Sequence, residues 1–152
     1  MTERVLNILR RQGKNICCIF TGKLIESLSE EQLTVILDQI KEIGSIRKSI
    51  VIFDHQLKSE DYGTYIKKGI SPLIVPSDED IHMALEGMDV VLTQQTDILC
   101  LGVTDDSLLP MIASARESTE ILLLALSDKT IENSSVYADY LILIEDIIKN
   151  KN

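Results

Sequence analysis

The sequence predicts an α/β protein: three layers, α/β/α, around a mainly parallel sheet of five to six strands. Three observations carry this expectation. Short runs that are apolar throughout recur along the 152 residues, and a strand without a polar face must be covered on both sides. The segments between those runs place apolar residues at helical spacing. Strands that alternate with helices close a parallel sheet through crossovers, and the crossovers supply both covering layers. The plan is that of a doubly wound domain.

Residues 2–12 read as a helix, with Val5, Ile8 and Leu9 on one side and Gly13 as the stop. Residues 15–21, NICCIFT, make the first strand. Ser29 caps the next helix, with Glu30 and Glu31 in its first turn. Its Leu33, Ile36, Leu37, Ile40 and Ile43 keep the i, i+3, i+4, i+7 rhythm up to Gly44. The second strand is 49–53, SIVIF, and a helix follows from Ser59 to a stop at Gly69. The third strand is 70–75 despite Pro72, and Pro76 ends it. Residues 79–95 are largely helical, interrupted at Gly87, with an extended alternative at 90–92. The fourth strand is 98–103, ILCLGV. The helix over 107–117 holds Pro110 in its opening turn, where proline is tolerated. A fifth strand at 121–126, a short helical piece at 130–137 and a sixth strand at 140–144 complete the chain.

The length corresponds to one domain, residues 1–152. Apolar residues make up 45% and charged residues 26%, a globular balance. No apolar run approaches the ~20 residues of a membrane span. MTERVLNILRRQGK lacks the apolar centre of an export signal. Three cysteines without CxxC spacing argue against a disulfide framework or a zinc ribbon, so the expected compartment is the cytoplasm. The net charge of −9 is uneven, with residues 1–76 carrying +2 and residues 77–152 carrying −11. The second half therefore favours a cation or a cationic partner over a phosphate chain.

In an open parallel sheet the cleft lies beyond the carboxyl ends of the strands, at the switch in strand order. Thr21, Gly22 and Lys23 can reach it after strand one, and Asp54 and His55 after strand two. Ser77, Asp78, Glu79 and Asp80 can reach it after strand three, and Thr104, Asp105, Asp106 and Ser107 after strand four. Converging carboxylates repel one another unless a divalent cation or a lysine compensates. Two roles compete for Asp105 and Asp106: ligation of a hard cation, or capping of the helix that follows. Thr21-Gly22-Lys23 lacks phosphate-loop glycine spacing, no GxSxG elbow is present, and His82 has no paired ligand nearby. Arg10, Arg11, Lys14, Arg47 and Lys48 precede strands one and two, which puts them at the opposite edge from the cleft. A nuclease that tracks long RNA would carry more positive charge near its cleft.

Over residues 86–145 the sequence resembles the NYN domain, a relative of the PIN nucleases with a Rossmann-like fold. EGMDVVL is similar to that family's Lys-Gly-Val-Asp-Val segment, with Asp89 at the acidic position. LGVTDDSLLPMIASARES is similar to its strand and Asp-x-Asp-Phe-x-Pro turn, and SSVYADYLILIED to its closing Ala-Asp segment, with Asp139 at the aspartate. The resemblance implies a three-layer fold and RNA phosphodiester hydrolysis with Mg²⁺ or Mn²⁺. It assigns Asp89, Asp105 and Asp106 as catalytic and metal-holding residues, with Lys23 and Asp139 beside the cofactor.

The match departs from the family at two places. Thr21-Gly22-Lys23-Leu24 stands where an Asp-Gly-x-Asn turn is expected, and Ser107 stands at the second acid of the Asp-x-Asp turn. The expectation is therefore a nuclease-like domain with weakened or lost hydrolysis and a weakly held or absent cation. Lys23 would stand in for the metal against Asp89 and Asp105 or Asp106. The alternative is a non-catalytic scaffold or regulatory module on the same fold. Expected partners are RNA, a protein or a second copy of the chain, with no membrane. A sugar-isomerase-type reading needs a Ser-x-Ser-Gly turn that GVTDDS lacks.

Overall fold

The computed structural model describes residues 13–93 and 96–149; the helix expected at 2–12 lies outside them. Six strands, β1 (Asn15–Thr21), β2 (Ser45–Phe53), β3 (Ser71–Ile74), β4 (Ile98–Gly102), β5 (Glu120–Ala125) and β6 (Tyr140–Leu143), form one sheet in the order β3-β2-β1-β4-β5-β6. Every neighbouring pair is parallel. The helices are α1 (Gly22–Glu26), α2 (Glu30–Ile43), α3 (Ser59–Lys67), α4 (Glu79–Leu92), α5 (Leu109–Ala115) and α6 (Ile144–Lys149). Two 3₁₀ turns, Asp128–Ile131 and Ser134–Tyr137, connect β5 to β6.

Side chains alternate across the pleat, so each strand feeds two cores. Ile16, Cys18 and Phe20 of β1 pack with α1, α2, α3 and α6. Cys17 and Ile19 pack on the other face with α4, α5 and the first 3₁₀ turn. Cys18 lies directly opposite Cys100 in the register of β1 and β4, and both are fully buried. The chain leaves β1 toward β2 over one face and returns from β3 to β4 over the other. The strand order therefore reverses between β1 and β4, and the carboxyl ends of those two strands frame the cleft.

Several expected elements form for the expected reasons. Ser29 caps α2 in a reciprocal box: its hydroxyl accepts from the Gln32 N–H at 3.1 Å, and its own N–H donates to Gln32 Oε1 at 2.9 Å. Pro110 sits in the first turn of α5, and Pro72 lies on the edge strand. The remaining differences have local causes. The second strand begins at Ser45, four residues before the apolar run. Its exposed Lys48 pairs with Cys17, and the exposed Arg47 is passed over where the register shifts between Ile16 and Cys17. Gly87 does not interrupt α4. It is buried where the helix crosses α5, and an added Cβ would meet Met111 Cε at 3.1 Å.

Candidate functional site

Two close backbone approaches build the cleft at the switch point. A Cβ on Gly22 would lie 2.4 Å from Phe53 Cδ1, and one on Gly102 would lie 2.6 Å from Phe20 Cδ1. Glycine at these positions lets the first turn after β1 press against the end of β2 and lets β4 lie close to Phe20. Asp78 adopts φ +56°, the left-handed region that aspartate tolerates better than most residues. The chain turns there into α4, and Glu79, the first residue of the helix, is buried.

Glu79 is the centre of the site. Its carboxylate accepts from the Thr21 hydroxyl at a long 3.5 Å and lies 3.8 Å from Lys23 Nζ. Burial pushes the Glu79 carboxyl up, and the nearby Asp54 charge adds to this, while Lys23 and the Gly22 N–H pull it back. Lys23 also lies close enough to Asp54 and Asp105 to favour their ionised forms. One ammonium thus serves carboxylates from the ends of β2 and β4 and from the start of α4.

Beside this group, His55 bridges two acids. Its Nδ1 lies 3.0 Å from Asp54 Oδ1 and its Nε2 lies 2.5 Å from Glu26 Oε1. The ring stands edge-on to Phe53, with centroids 5.7 Å apart. The Asp54 hydrogen bond, aided by Glu26, raises the pKa of His55, and the Asp54 carboxyl falls correspondingly.

The residues expected to act together are separated. Asp105 lies at the cleft, where its Oδ1 accepts from the Ser107 N–H at 2.9 Å. The Ser107 hydroxyl and N–H hold its carboxyl below the usual range. Asp106 turns away from the cleft and caps the second 3₁₀ turn, accepting from the N–H groups of Asn133 at 3.1 Å and Ser134 at 2.9 Å. Burial acts to raise its pKa, but the hydrogen bonds of Ser134 and Asn133 outweigh it, and the net shift is downward.

Asp89 is exposed on α4, ten residues beyond Glu79, or ~15 Å farther along the helix axis. It is not part of the cleft, because α4 runs unbroken from the carboxyl edge toward the amino edge. Asp139 also lies at the amino edge. There it accepts from the Ile121 N–H at 2.9 Å and from Arg116 at 3.1 Å, joining the entry of β6 to β5. A concavity of about 500 Å³ at that edge is lined by Lys14, Arg116, Glu120 and Asp139 among others. Its two cations are already paired, Lys14 with Glu120 at 2.6 Å and Arg116 with Asp139.

The expectation at the cleft was Mg²⁺ or Mn²⁺, weakly held or absent. Among the described residues no three His, Cys, Asp or Glu side chains are grouped to hold an ion, and an ammonium group already faces the most buried carboxylate. Lys23, expected to face Asp89 and Asp105 or Asp106, lies instead 3.8 Å from Glu79. Glu79 and His55 both stood among the residues able to reach the cleft. The signal for Glu79 was its place at the first turn of the helix after strand three.

No family model matches the chain, and no curated protein matches it. Among solved structures it is similar to a protein of unknown function from Vibrio parahaemolyticus, with a TM-score of 0.66 and 11% identity over 88% of this chain and 94% of that one. The likeness shows a shared three-layer α/β/α fold of Rossmann-like type.

Proposed function

We propose that the chain is a nuclease-like domain of NYN/PIN type, RNA-related, in which metal-dependent hydrolysis is lost and the cleft is a binding surface. The observation that carries this reading is the Lys23 ammonium, 3.8 Å from the buried Glu79 carboxylate at the switch point. An ammonium neutralises carboxylates as a cation does, but it has no open coordination position to activate water. The resemblance over residues 86–145 supplies the link to RNA, and Asp105 is the one acid of its turn that the cleft retains.

A second reading, a scaffold that binds a basic protein, is favoured by the acid excess at the cleft. Asp54, Glu79 and Asp105 surround a single lysine there. Such a rim attracts a cationic side chain more readily than an unaccompanied phosphate.

The test combines melting, cleavage and binding. With Mg²⁺ or Mn²⁺ against chelator, the Tm of the parent should not move, and a mixed single-stranded RNA should remain intact. Lys23→Asp should acquire a Mn²⁺-dependent rise in Tm. Labelled RNA should bind in a salt-sensitive manner. Metal-dependent cleavage by the parent that Glu79→Gln abolishes would overturn the loss of hydrolysis. Binding of a basic peptide with no binding of RNA would transfer the function to the second reading.

A further inference from the structure

Where α2, β2 and the end of α3 meet, a hollow of about 220 Å³ is lined by Leu37, Lys41, Ile46, Ser49, Lys68 and Gly69. Ser49 precedes Phe53 by four residues on β2, which puts it ~13 Å from the cleft end of that strand. Side chains at 49, 51 and 53 share one face of the pleat, and Val51 and Phe53 belong to the core under α1, α2 and α3. Ser49 is therefore a polar group set into an apolar layer. It is 6% exposed, and its buried hydroxyl has no hydrogen-bond partner among the described residues. Such a hydroxyl has lost its water and gained nothing in return.

Two lysines line the same hollow, and among the described residues no carboxylate does. Lys41 makes no ion pair among the described residues. The Lys68 side chain is only 16% exposed, and its ammonium donates to the Thr34 hydroxyl at 2.6 Å. Its carboxylate partner, Glu30, lies 3.8 Å away and is mostly in solvent. At the amino-edge concavity, by contrast, carboxylates meet Lys14 and Arg116 at 2.6 and 3.1 Å. A lysine near the end of a helix is favoured by the helix dipole, which accounts for the positions of Lys41 and Lys68. It does not account for the orphan hydroxyl in the same hollow, nor for loosely matched positive charge in a chain of net charge −9.

We propose that this hollow binds a small organic oxyanion, a carboxylate or phosphate monoester with a short aliphatic body. Lys41 and Lys68 supply the charge. The Ser49 hydroxyl donates the hydrogen bond for which the described residues offer no acceptor, and a bond to an ionised oxygen is stronger than a neutral one. The volume fits this class. At ~30 Å³ for each water it could hold, the hollow has room well beyond a headgroup, and Leu37 and Ile46 give that room apolar walls. Gly69 adds no side chain to close it. The site is separate from the switch-point cleft, so its occupancy does not depend on what the cleft binds.

Titration of the full chain with butyrate and with monobutyl phosphate, followed by amide NMR, tests the proposal. The signals of Ser49 and Gly69 should move along saturable curves, while those of Asp54 and Glu79 at the cleft stay in place. Sodium chloride at equal ionic strength should move none of them. The tighter of the two ligands assigns the headgroup. Ser49→Ala should weaken binding at least tenfold, and Lys41→Gln, at an exposed position, at least fivefold. Without ligand, Ser49→Ala should melt no lower than the parent, because it removes an unpaired polar group, so its lost binding is not lost folding. Shifts that stay linear in ligand, or that chloride reproduces, would show an adventitious additive only and overturn the proposal. Parent-like binding by Ser49→Ala would also overturn it, as would shifts confined to the cleft.

Discussion

The Glu79 carboxylate and the Lys23 ammonium lie 3.8 Å apart in very different surroundings, the first side chain 3% exposed and the second 64%. The lysine can keep its water while the carboxylate has lost most of its own. The attraction therefore only partly offsets the cost of burying the acid, which is why Glu79 holds its proton more tightly than an ordinary carboxyl.

That imbalance sets a pH dependence. A carboxyl whose pKa is raised by folding binds its proton more readily in the native chain than in the unfolded one. Its contribution is full below the ordinary carboxylate value and is lost as pH rises through the native value. Glu79→Gln should remove this loss. At pH 7 the variant should melt a few degrees above the parent, about 1 kcal/mol, and the gap should close toward pH 4. A variant that melts below the parent at pH 7 would show that the pair with Lys23 outweighs the burial.

His55 acts in the same direction, in a higher pH window. Asp54 and Glu26 raise its pKa in the native state, so its contribution is full below the unfolded histidine value and disappears as pH rises through the native one. Proton NMR should place the His55 titration above that of an ordinary histidine. Glu26→Gln should move it down, and Asp54→Asn should move it down further. No movement in either variant would mean that the bridge between β2 and α1 does not form in solution.

The four aspartates expected to share one site should respond differently to removal. Asp106→Ala strands the N–H groups of Asn133 and Ser134 and should cost about 1–2 kcal/mol in chemical denaturation. Asp139→Ala, which frees the Ile121 N–H and Arg116, should cost about as much. Asp89→Ala, on an exposed helical position, should stay within about 0.5 kcal/mol. Asp105→Asn should leave stability nearly unchanged while reducing the negative charge facing Lys23. Equal costs for Asp89 and Asp106 would contradict the placement of both.

Gly102→Ala should be costly, because the new methyl group would meet the Phe20 ring in the middle of the core. Overpacking of this kind costs about 1–3 kcal/mol. Gly63→Ala, in open space on α3, should instead gain a few tenths to about 1 kcal/mol from helix propensity. Thermal melts of the two variants should therefore shift in opposite directions.

The layered fold was legible because its signals are local and repeated. Ile16 to Phe20 are apolar on both faces of one strand, and Ser29 with Gln32 announces a helix start in four residues. The site was legible only as far as strand ends could be counted. That count brought Lys23, Asp54, Glu79 and Asp105 to one edge. The expectation for Asp89 failed because it relied on a short pattern, EGMDVVL, and on a break at Gly87. The glycine instead admits Met111 against an unbroken helix, and ten helical residues carry Asp89 away from the edge. The resemblance implies an ion on Asp106 and a place beside it for Asp139, because a carboxylate that caps a backbone turn looks the same in sequence as one that serves an ion.

The facing thiols of Cys18 and Cys100, with Cys17 on the reverse of the same strand, turn the middle of the sheet into a latch that reports its own opening. An alkylating reagent reaches them only when β1 and β4 part. The rate at which the chain gains mass in such a reagent is then a direct clock for the rarest and deepest fluctuation of the molecule, with no label added.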